Sequence, residues 1–189
     1  MKEQQKKYEL TDEFIEIFGG KKLYRIKALV SFGVVVAGQL GGFIESEKNL
    51  DQSLSGNAWV SGNARVYGSA RVYGDAWVSG DALVYGNARV YGNALVYGSA
   101  RVYGDAWVRS HAVISEHKMI FWASNVGSEN GTLTVFNGKD GLIVTRGCFT
   151  GTVDEFLAKS AEVHDDKTKN EYKLLIEVAK SRILGVKDE

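Results

Sequence analysis

Residues 56–115 read GNAWVS GNARVY GSARVY GDAWVS GDALVY GNARVY GNALVY GSARVY GDAWVR SHAVIS, and these ten hexapeptides decide the fold. In each unit an Ala stands two residues before a Val, or before an Ile in the last unit. Both side chains therefore point to the same side of an extended segment. Gly opens nine of the ten units and a short polar residue follows it, which is typical of a turn. Each unit is predicted to be a short strand followed by a corner.

A single strand of this kind cannot bury its Ala/Val face. Coils stacked about 4.8 Å apart bury the face continuously and pair their backbones from one coil to the next. The repeat therefore predicts a β-solenoid, an architecture that by itself indicates no particular function.

The repeat resembles the left-handed β-helix of hexapeptide-repeat proteins, in which a small residue follows an aliphatic residue four positions later. Val60 and Ala64 fit this pattern, as do Val66 and Ala70. The resemblance covers about a third of the chain. It implies that three hexapeptides form one triangular coil.

With three units per coil, the outward residues of the strands fall on three faces. An apolar stripe on the first face is expected to be covered by another segment or another subunit, because such a stripe is unfavourable in water. This packing face consists of Trp59, Trp77, Leu95 and Val113. The second face carries Arg65, Tyr67, Tyr85, Arg101 and Tyr103, and the third carries Arg71, Tyr73, Arg89, Tyr91 and Arg109.

The arginine and tyrosine ladders have two interpretations. Stacked tyrosines and arginines stiffen a solenoid by packing along the ladder. Alternatively, the ladders form a ligand surface, because arginine binds phosphate in a bidentate manner and tyrosine offers a flat ring to a base or a sugar.

The segments on either side of the repeat are predicted to be smaller units. Before it, Phe14 to Phe18 and Leu23 to Ala28 are expected to form a hairpin that caps the solenoid. After it, the sequence predicts strands over 119–124, 132–136 and 142–146. Thr152 and Glu155 form a capping box that opens a first helix. A second, amphipathic helix is predicted from about Asn170 to Leu184.

The composition argues against several classes of protein. The chain of 189 residues has 23 Lys+Arg, 23 Asp+Glu and one Cys. A neutral chain without a basic block lacks the charge of a general nucleic-acid binder or of a protein that binds membrane surfaces. No apolar stretch resembles a signal core or a membrane span, so we expect a cytoplasmic protein of a bacterial host.

Nearly the full chain is similar to a group of phage and prophage proteins labelled as polymer-forming or putative transferase proteins. The segments that carry this resemblance are AGQLGGFIESEKNL, SNVGSENGTLTVF, RGCFTGTVDEF and VHDD, the last followed by an amphipathic helix. The resemblance supplies no catalytic residue. It implies a phage setting, and with it the sequestration of a nucleotide signal or the blocking of a host-defence factor.

Few residues are candidates for catalysis. Hexapeptide acyltransferases, which the chain resembles only in the solenoid, place a catalytic histidine beside a groove between subunits. His111 is a weak candidate for that base, and the alternative is a corner residue in a slot that elsewhere holds Asn, Asp or Ser. Because His111 and His117 fall on successive sides of a coil, no metal site and no cofactor is expected. Cys148, which His164 could activate, is expected to be buried and inert.

The sequence therefore predicts a mainly β protein with three parts. These are a β cap over 1–49, a left-handed parallel β-helix over 50–115 and a C-terminal α+β domain over 116–189. The predicted function is that of a non-enzymatic phage-type binding protein. It would be a homo-oligomer, either a trimer or a dimer, that sequesters a nucleotide-like molecule with the ten ladder residues or blocks a host protein. An acyl-CoA-dependent acyltransferase and a structural assembly module remain as alternatives.

Overall fold

A computed structural model describes residues 5–185 and begins with the predicted hairpin. Strands β1 (Tyr8–Ile17) and β2 (Lys21–Ala28) pair antiparallel. β1 begins well before the predicted Phe14, because a bulge between Leu10 and Phe14 interrupts the alternation on which the prediction relied. β2 then pairs antiparallel with β3 (Leu40–Ile44).

Each hexapeptide forms a two-residue strand, as predicted. The strands are β4 (Trp59–Val60), β5 (Arg65–Val66), β6 (Arg71–Val72), β7 (Trp77–Val78), β8 (Leu83–Val84), β9 (Arg89–Val90), β10 (Leu95–Val96), β11 (Arg101–Val102), β12 (Trp107–Val108) and β13 (Val113–Ile114). They form three parallel sheets, in the orders β4-β7-β10-β13, β3-β5-β8-β11 and β6-β9-β12. Because every third strand pairs, three hexapeptides make one coil. The solenoid is confirmed, and its left-handed winding stays a prediction.

The solenoid begins at β3, before the boundary at residue 50 that the repeat pattern predicts. Phe43 pairs in parallel with Arg65, and Leu50 forms a parallel bridge to Val72. The first coil lacks the Ala-x-Val signature because Gly42 stands in the inward position. A Cβ there would lie 2.6 Å from the carbonyl oxygen of Ala64.

The interior of the solenoid consists of the Ala and Val side chains, which are fully buried in every unit. The corners are tight because successive coils bring glycine over glycine. Gly80, for example, has φ +67°, and a Cβ on it would lie 2.9 Å from the backbone nitrogen of Gly98. The period of six therefore reflects backbone contact at the corners as well as burial of the strands.

The N-terminal segment closes one end of the solenoid. The buried ammonium of Lys7 donates hydrogen bonds to the carbonyls of Gly56 (3.3 Å) and Ala58 (3.1 Å). The hydroxyl of Tyr8 donates to the carbonyl of Leu50 at 2.7 Å. These side chains satisfy carbonyls that no preceding coil can pair, which is the requirement at a solenoid end.

The C-terminal unit is an antiparallel sheet with two helices, as predicted. Its strands are β14 (Ile120–Val126), β15 (Gly131–Gly138), β16 (Gly141–Arg146) and β17 (Phe149–Thr152), and its helices are α1 (Val153–Val163) and α2 (Asp166–Leu184). The capping box is confirmed, with the Glu155 amide 3.2 Å from the Thr152 hydroxyl. α2 starts before the predicted Asn170, because Asp165 caps it through the Thr168 amide at 2.8 Å.

The C-terminal sheet closes the other end of the solenoid. Phe136 on β15 is fully buried in the solenoid core. The Thr145 hydroxyl donates to the Trp107 carbonyl (2.8 Å), and the Trp107 amide donates to the Thr134 hydroxyl (3.2 Å). The last coil is thus paired by side chains of the neighbouring sheet. Within residues 5–185, no helix has both the length and the apolar composition needed to cross a membrane.

Replacing a corner glycine should cost more than the backbone strain alone. Gly80→Ala meets the backbone of the next coil, whereas Gly147→Ala, also at positive φ (+55°), meets nothing within 4 Å. We expect Gly80→Ala to lower the free energy of unfolding by about 2–3 kcal/mol and Gly147→Ala by about 1 kcal/mol. Urea denaturation would measure both, and equal losses would contradict the steric argument.

The buried Tyr8 hydroxyl should make the protein sensitive to alkali. Burial raises the pKa of Tyr8 far above its ordinary value of 10.0, and the nearby negative charges of Glu47 and Asp51 raise it further. The stability that this protonated hydroxyl contributes is present below pH 10 and is lost as the unfolded chain ionises above it.

Above pH 10, unfolding free energy should therefore fall more steeply for the wild type than for Tyr8→Phe, by about 1.4 kcal/mol per pH unit. At pH 8 the variant should be less stable by about 1 kcal/mol, since it lacks the bond to Leu50. Urea titrations from pH 8 to 11 measure both effects. Parallel slopes would show that Tyr8 ionises as readily in the folded chain as in the unfolded one.

Candidate functional site

A cleft of about 390 Å³ lies where the second face of the solenoid meets the C-terminal unit. We call it the ladder cleft. Its lining comes from β8, β11 and their corners, from the segment that leaves the solenoid, from β14 and from α2. The lining residues are Tyr85, Arg101, Tyr103, His117, Ile120, Phe121, Trp122, Val178 and Arg182.

A tyrosine stack forms the solenoid wall of the cleft. The rings of Tyr67 and Tyr85 are parallel, with centroids 5.1 Å apart, and those of Tyr85 and Tyr103 are parallel at 4.9 Å. Both ring faces of Tyr85 are therefore covered by its neighbours. The predicted stacking of a ligand on Tyr85 does not fit this geometry, because only the edge and the hydroxyl of the ring can reach a ligand. Burial raises the pKa of Tyr85, so the hydroxyl stays protonated and can donate.

Trp122 ends the stack. Its ring lies nearly perpendicular to that of Tyr103, with the centroids 4.4 Å apart. The indole fits there because Gly104 has no side chain; a Cβ on Gly104 would lie 2.8 Å from the indole nitrogen. Trp122 is half-buried and contributes a large aromatic surface to the cleft.

Two arginines approach the ladder cleft from opposite walls. Arg101 projects outward from β11, and Arg182 lies in the last turn of α2. Both are exposed, and within residues 5–185 neither has a carboxylate within ion-pair distance. Of the described residues that line the cleft, none is acidic. The cleft is therefore positively charged.

α2 is held in place by a buried stripe. Tyr172, Ile176, Ala179 and Ile183 pack against the C-terminal sheet. The Tyr172 hydroxyl accepts a hydrogen bond from Nε of Arg146 at 3.0 Å. This packing turns another face of the helix, with Val178 and Arg182 one turn apart, toward the solenoid. The repeat pattern identified neither residue, because their role depends on how the helix docks.

The structure brings only part of the predicted ligand set together. The ladder cleft includes Tyr85, Arg101 and Tyr103. On the same face, but nearer the N-terminal end of the solenoid and outside the cleft, are Arg65 and Tyr67. On the third face, Tyr73 and Tyr91 stack at 4.6 Å. Arg71 and Arg89 are exposed there, with Arg89 over the ring of Trp107 at 4.7 Å. The remaining lining residues are outside the predicted ligand set: His117, Ile120, Phe121, Trp122, Val178 and Arg182.

Arg109 has a different role from the predicted one. Its guanidinium donates to the Tyr91 hydroxyl (2.9 Å) and to the carbonyls of Gly147 (3.4 Å), Cys148 (3.1 Å) and Phe149. These bonds join the solenoid to the β16–β17 turn. Arg109 is thus a structural link between the two units, and its predicted contact with a ligand stays a prediction.

The packing face is covered unequally. Trp59 is fully buried, with its ring against Tyr8 and Phe32 at centroid distances of 6.3 Å and 5.5 Å. The N-terminal segment of the same chain therefore covers the start of the stripe. Trp77 and Val113 are half-buried, whereas Leu95 is 44% exposed. A second subunit on this face stays a prediction.

The weaker catalytic candidates lie outside the ladder cleft. His111 is an exposed corner residue whose carbonyl accepts the amide of Lys139 at 3.0 Å, and it lines a separate cleft of about 240 Å³ with Asp140 and Glu155. Its role as a base stays a prediction. Cys148 is exposed in a turn, which corrects the prediction that it is buried; Gly147, at positive φ, turns the chain there. Among the described residues, no group of three or more His, Cys, Asp or Glu is arranged to hold a metal ion.

Loss of the Arg109 link should loosen the β16–β17 hairpin. In Arg109→Ala we expect faster amide hydrogen exchange over residues 141–152, because the bonds to Tyr91 and to the turn carbonyls are lost. Arg89→Ala, on the same face, is the control, since Arg89 stacks on Trp107 alone. Exchange that is unchanged in Arg109→Ala, or equally faster in both variants, would show that the link does not hold the hairpin.

A match to a known family of repeats supports the assignment of the hexapeptides to solenoid coils. Residues 58–74, 70–86 and 88–104 match the YdcK β-solenoid repeat family. No curated protein is significantly similar to the chain. The match covers most of the repeat, up to residue 104, and leaves out its last two units and both flanking units, including α2 and Trp122. Together with the parallel coils, it identifies this chain as a β-solenoid repeat protein.

Proposed function

We propose that the protein is a non-enzymatic binding protein that sequesters a small, nucleotide-like anion in the ladder cleft. The observation that carries the proposal is that Arg101 and Arg182, from two separate units, line one cleft together with Trp122. Arginine binds phosphate through two parallel hydrogen bonds, and an aromatic ring stacks on a base. In the phage setting that the sequence resemblance implies, capture of a host nucleotide would be the use of such a site.

The charge of the cleft supports an anionic ligand. Arg101 and Arg182 have no acidic neighbour among the lining residues that would neutralise them. Two exposed guanidiniums that line one cleft without a counter-charge leave their hydrogen-bond donors available to a bound anion. The chemistry of the lining favours capture over turnover, because no carboxylate among the described lining residues stands beside His117 to orient it as a general base.

The cleft also has the construction of a binding site. One wall is the rigid tyrosine stack of the solenoid, and the other is a helix fixed by its own buried stripe. A ligand between two walls that are already in place is bound with little ordering of the protein, which favours affinity.

A nucleotide panel tests the proposal. We expect isothermal titration calorimetry in about 50 mM salt to detect binding of at least one mono-, di-, tri- or cyclic nucleotide. The bound compound should be recovered with unchanged mass after prolonged incubation. Arg101→Ala and Arg182→Ala should each weaken binding about 10- to 100-fold, because each removes a charge-assisted contact.

Arg71→Ala is the matched control. Arg71 is an exposed arginine of the same repeat on another face, outside the ladder cleft. Its replacement should change the affinity by less than about twofold, as expected of a distant surface charge. The proposal fails if no nucleotide binds, if the compound is converted, or if Arg71→Ala weakens binding as much as the two cleft variants.

A further inference from the structure

The number of charges in the ladder cleft limits the ligand. Arg101 and Arg182 supply two full positive charges, and the remaining lining residues are tyrosines, apolar residues and His117. A phosphate monoester carries a charge between about −1.5 and −2 near pH 7, which two guanidiniums balance. A triphosphate carries more, and among the described lining residues none offers the carboxylate that would help hold its accompanying Mg²⁺.

The size of the cleft limits the ligand further. A volume of about 390 Å³ is near the small end of the range for ligand pockets, which is about 300–1,000 Å³. One base, one sugar and one phosphate are of this size. Two linked nucleotides would leave one base outside the walls formed by Tyr103 and Val178.

The lining is also divided into a polar and an apolar part. Ile120, Phe121, Trp122 and Val178 form an apolar surface, whereas Arg101 and Arg182 provide charge. Inorganic phosphate or a sugar phosphate would use only the charged part. Trp122 is half-buried and lies nearly perpendicular to Tyr103, and with Phe121 it gives the apolar part of the cleft two aromatic rings.

We infer that the ladder cleft selects a nucleoside monophosphate, with the phosphate between Arg101 and Arg182 and the base against Trp122 and Val178. This inference rests on the proposed function and narrows it to one ligand class. Tyr85 and Tyr103 also line the cleft, and their hydroxyl groups are the hydrogen-bonding groups offered to the sugar in this assignment.

Titration with fragments tests the assignment. The probes are AMP, GMP, CMP and UMP, with adenosine, ribose 5-phosphate, inorganic phosphate, ATP and a cyclic dinucleotide. We expect at least one monophosphate to bind at least tenfold more tightly than ribose 5-phosphate, inorganic phosphate or its own nucleoside. ATP and the cyclic dinucleotide should bind no more tightly than the monophosphate.

Two variants at Trp122 test the stacking role. Trp122→Leu should weaken binding of the monophosphate about tenfold and leave the weak binding of ribose 5-phosphate unchanged, because only the base contact is lost. Trp122→Phe should restore most of the affinity. Circular dichroism checks that both variants fold. If Trp122→Leu does not fold, the affinities of Trp122→Phe and of the wild type still test the stacking role. The smaller ring should lower the affinity for a purine monophosphate slightly and leave the affinity for ribose 5-phosphate unchanged.

The possible failures are distinguishable. Tighter binding of ATP or of the cyclic dinucleotide, lost in Arg101→Ala, would overturn the monophosphate assignment and leave the proposed function intact. Equal affinity for AMP and ribose 5-phosphate would show that the base is not recognised, and would also overturn the assignment. No binding of any probe would overturn both the assignment and the proposed function.

Discussion

The structure depends on the parallel pairing of each strand with the strand one coil further on. Val60 pairs with Val78 and Val66 with Val84, and the same offset continues to the last unit. This register buries the inward Ala and Val side chains of the repeat and places glycine over glycine at the corners. It also aligns the outward residues, so that the rings of Tyr67, Tyr85 and Tyr103 lie above one another and stack. The tyrosine stack is therefore a consequence of backbone register.

The same register explains why the candidate site lies at the end of a ladder. Inside a ladder, each ring has its faces covered by the rings above and below, and only its edge reaches solvent. The pattern breaks where the chain leaves the solenoid, and there Trp122 meets Tyr103 edge to face. Residues of a second unit can enter at this point. Arg182 of α2 lines the same cleft as Arg101 for this reason, whereas Arg65 lies outside that cleft.

The sequence predicted the coils because a six-residue period records inward and outward positions directly. It predicted the hairpin and both helices from equally local signals. It did not predict that Gly42 already belongs to the first coil, since steric crowding there removes the Ala that marks the repeat. Nor did it predict Arg182 in the site or Arg109 out of it. Both outcomes depend on how the C-terminal unit docks, which no periodicity encodes.

The docking of the C-terminal unit also bears on the two interpretations of the ladders, stiffening and ligand binding, that the sequence left open. Stiffening and ligand binding were alternatives for all ten residues together, yet the structure divides the residues by position. Tyr73, Tyr91 and Arg109 have partners inside the protein that account for them. Arg101 has no such partner among residues 5–185 and faces a cavity. Along its length the ladder is bordered by its own rings, and only at its end does the C-terminal unit add residues to form a cleft.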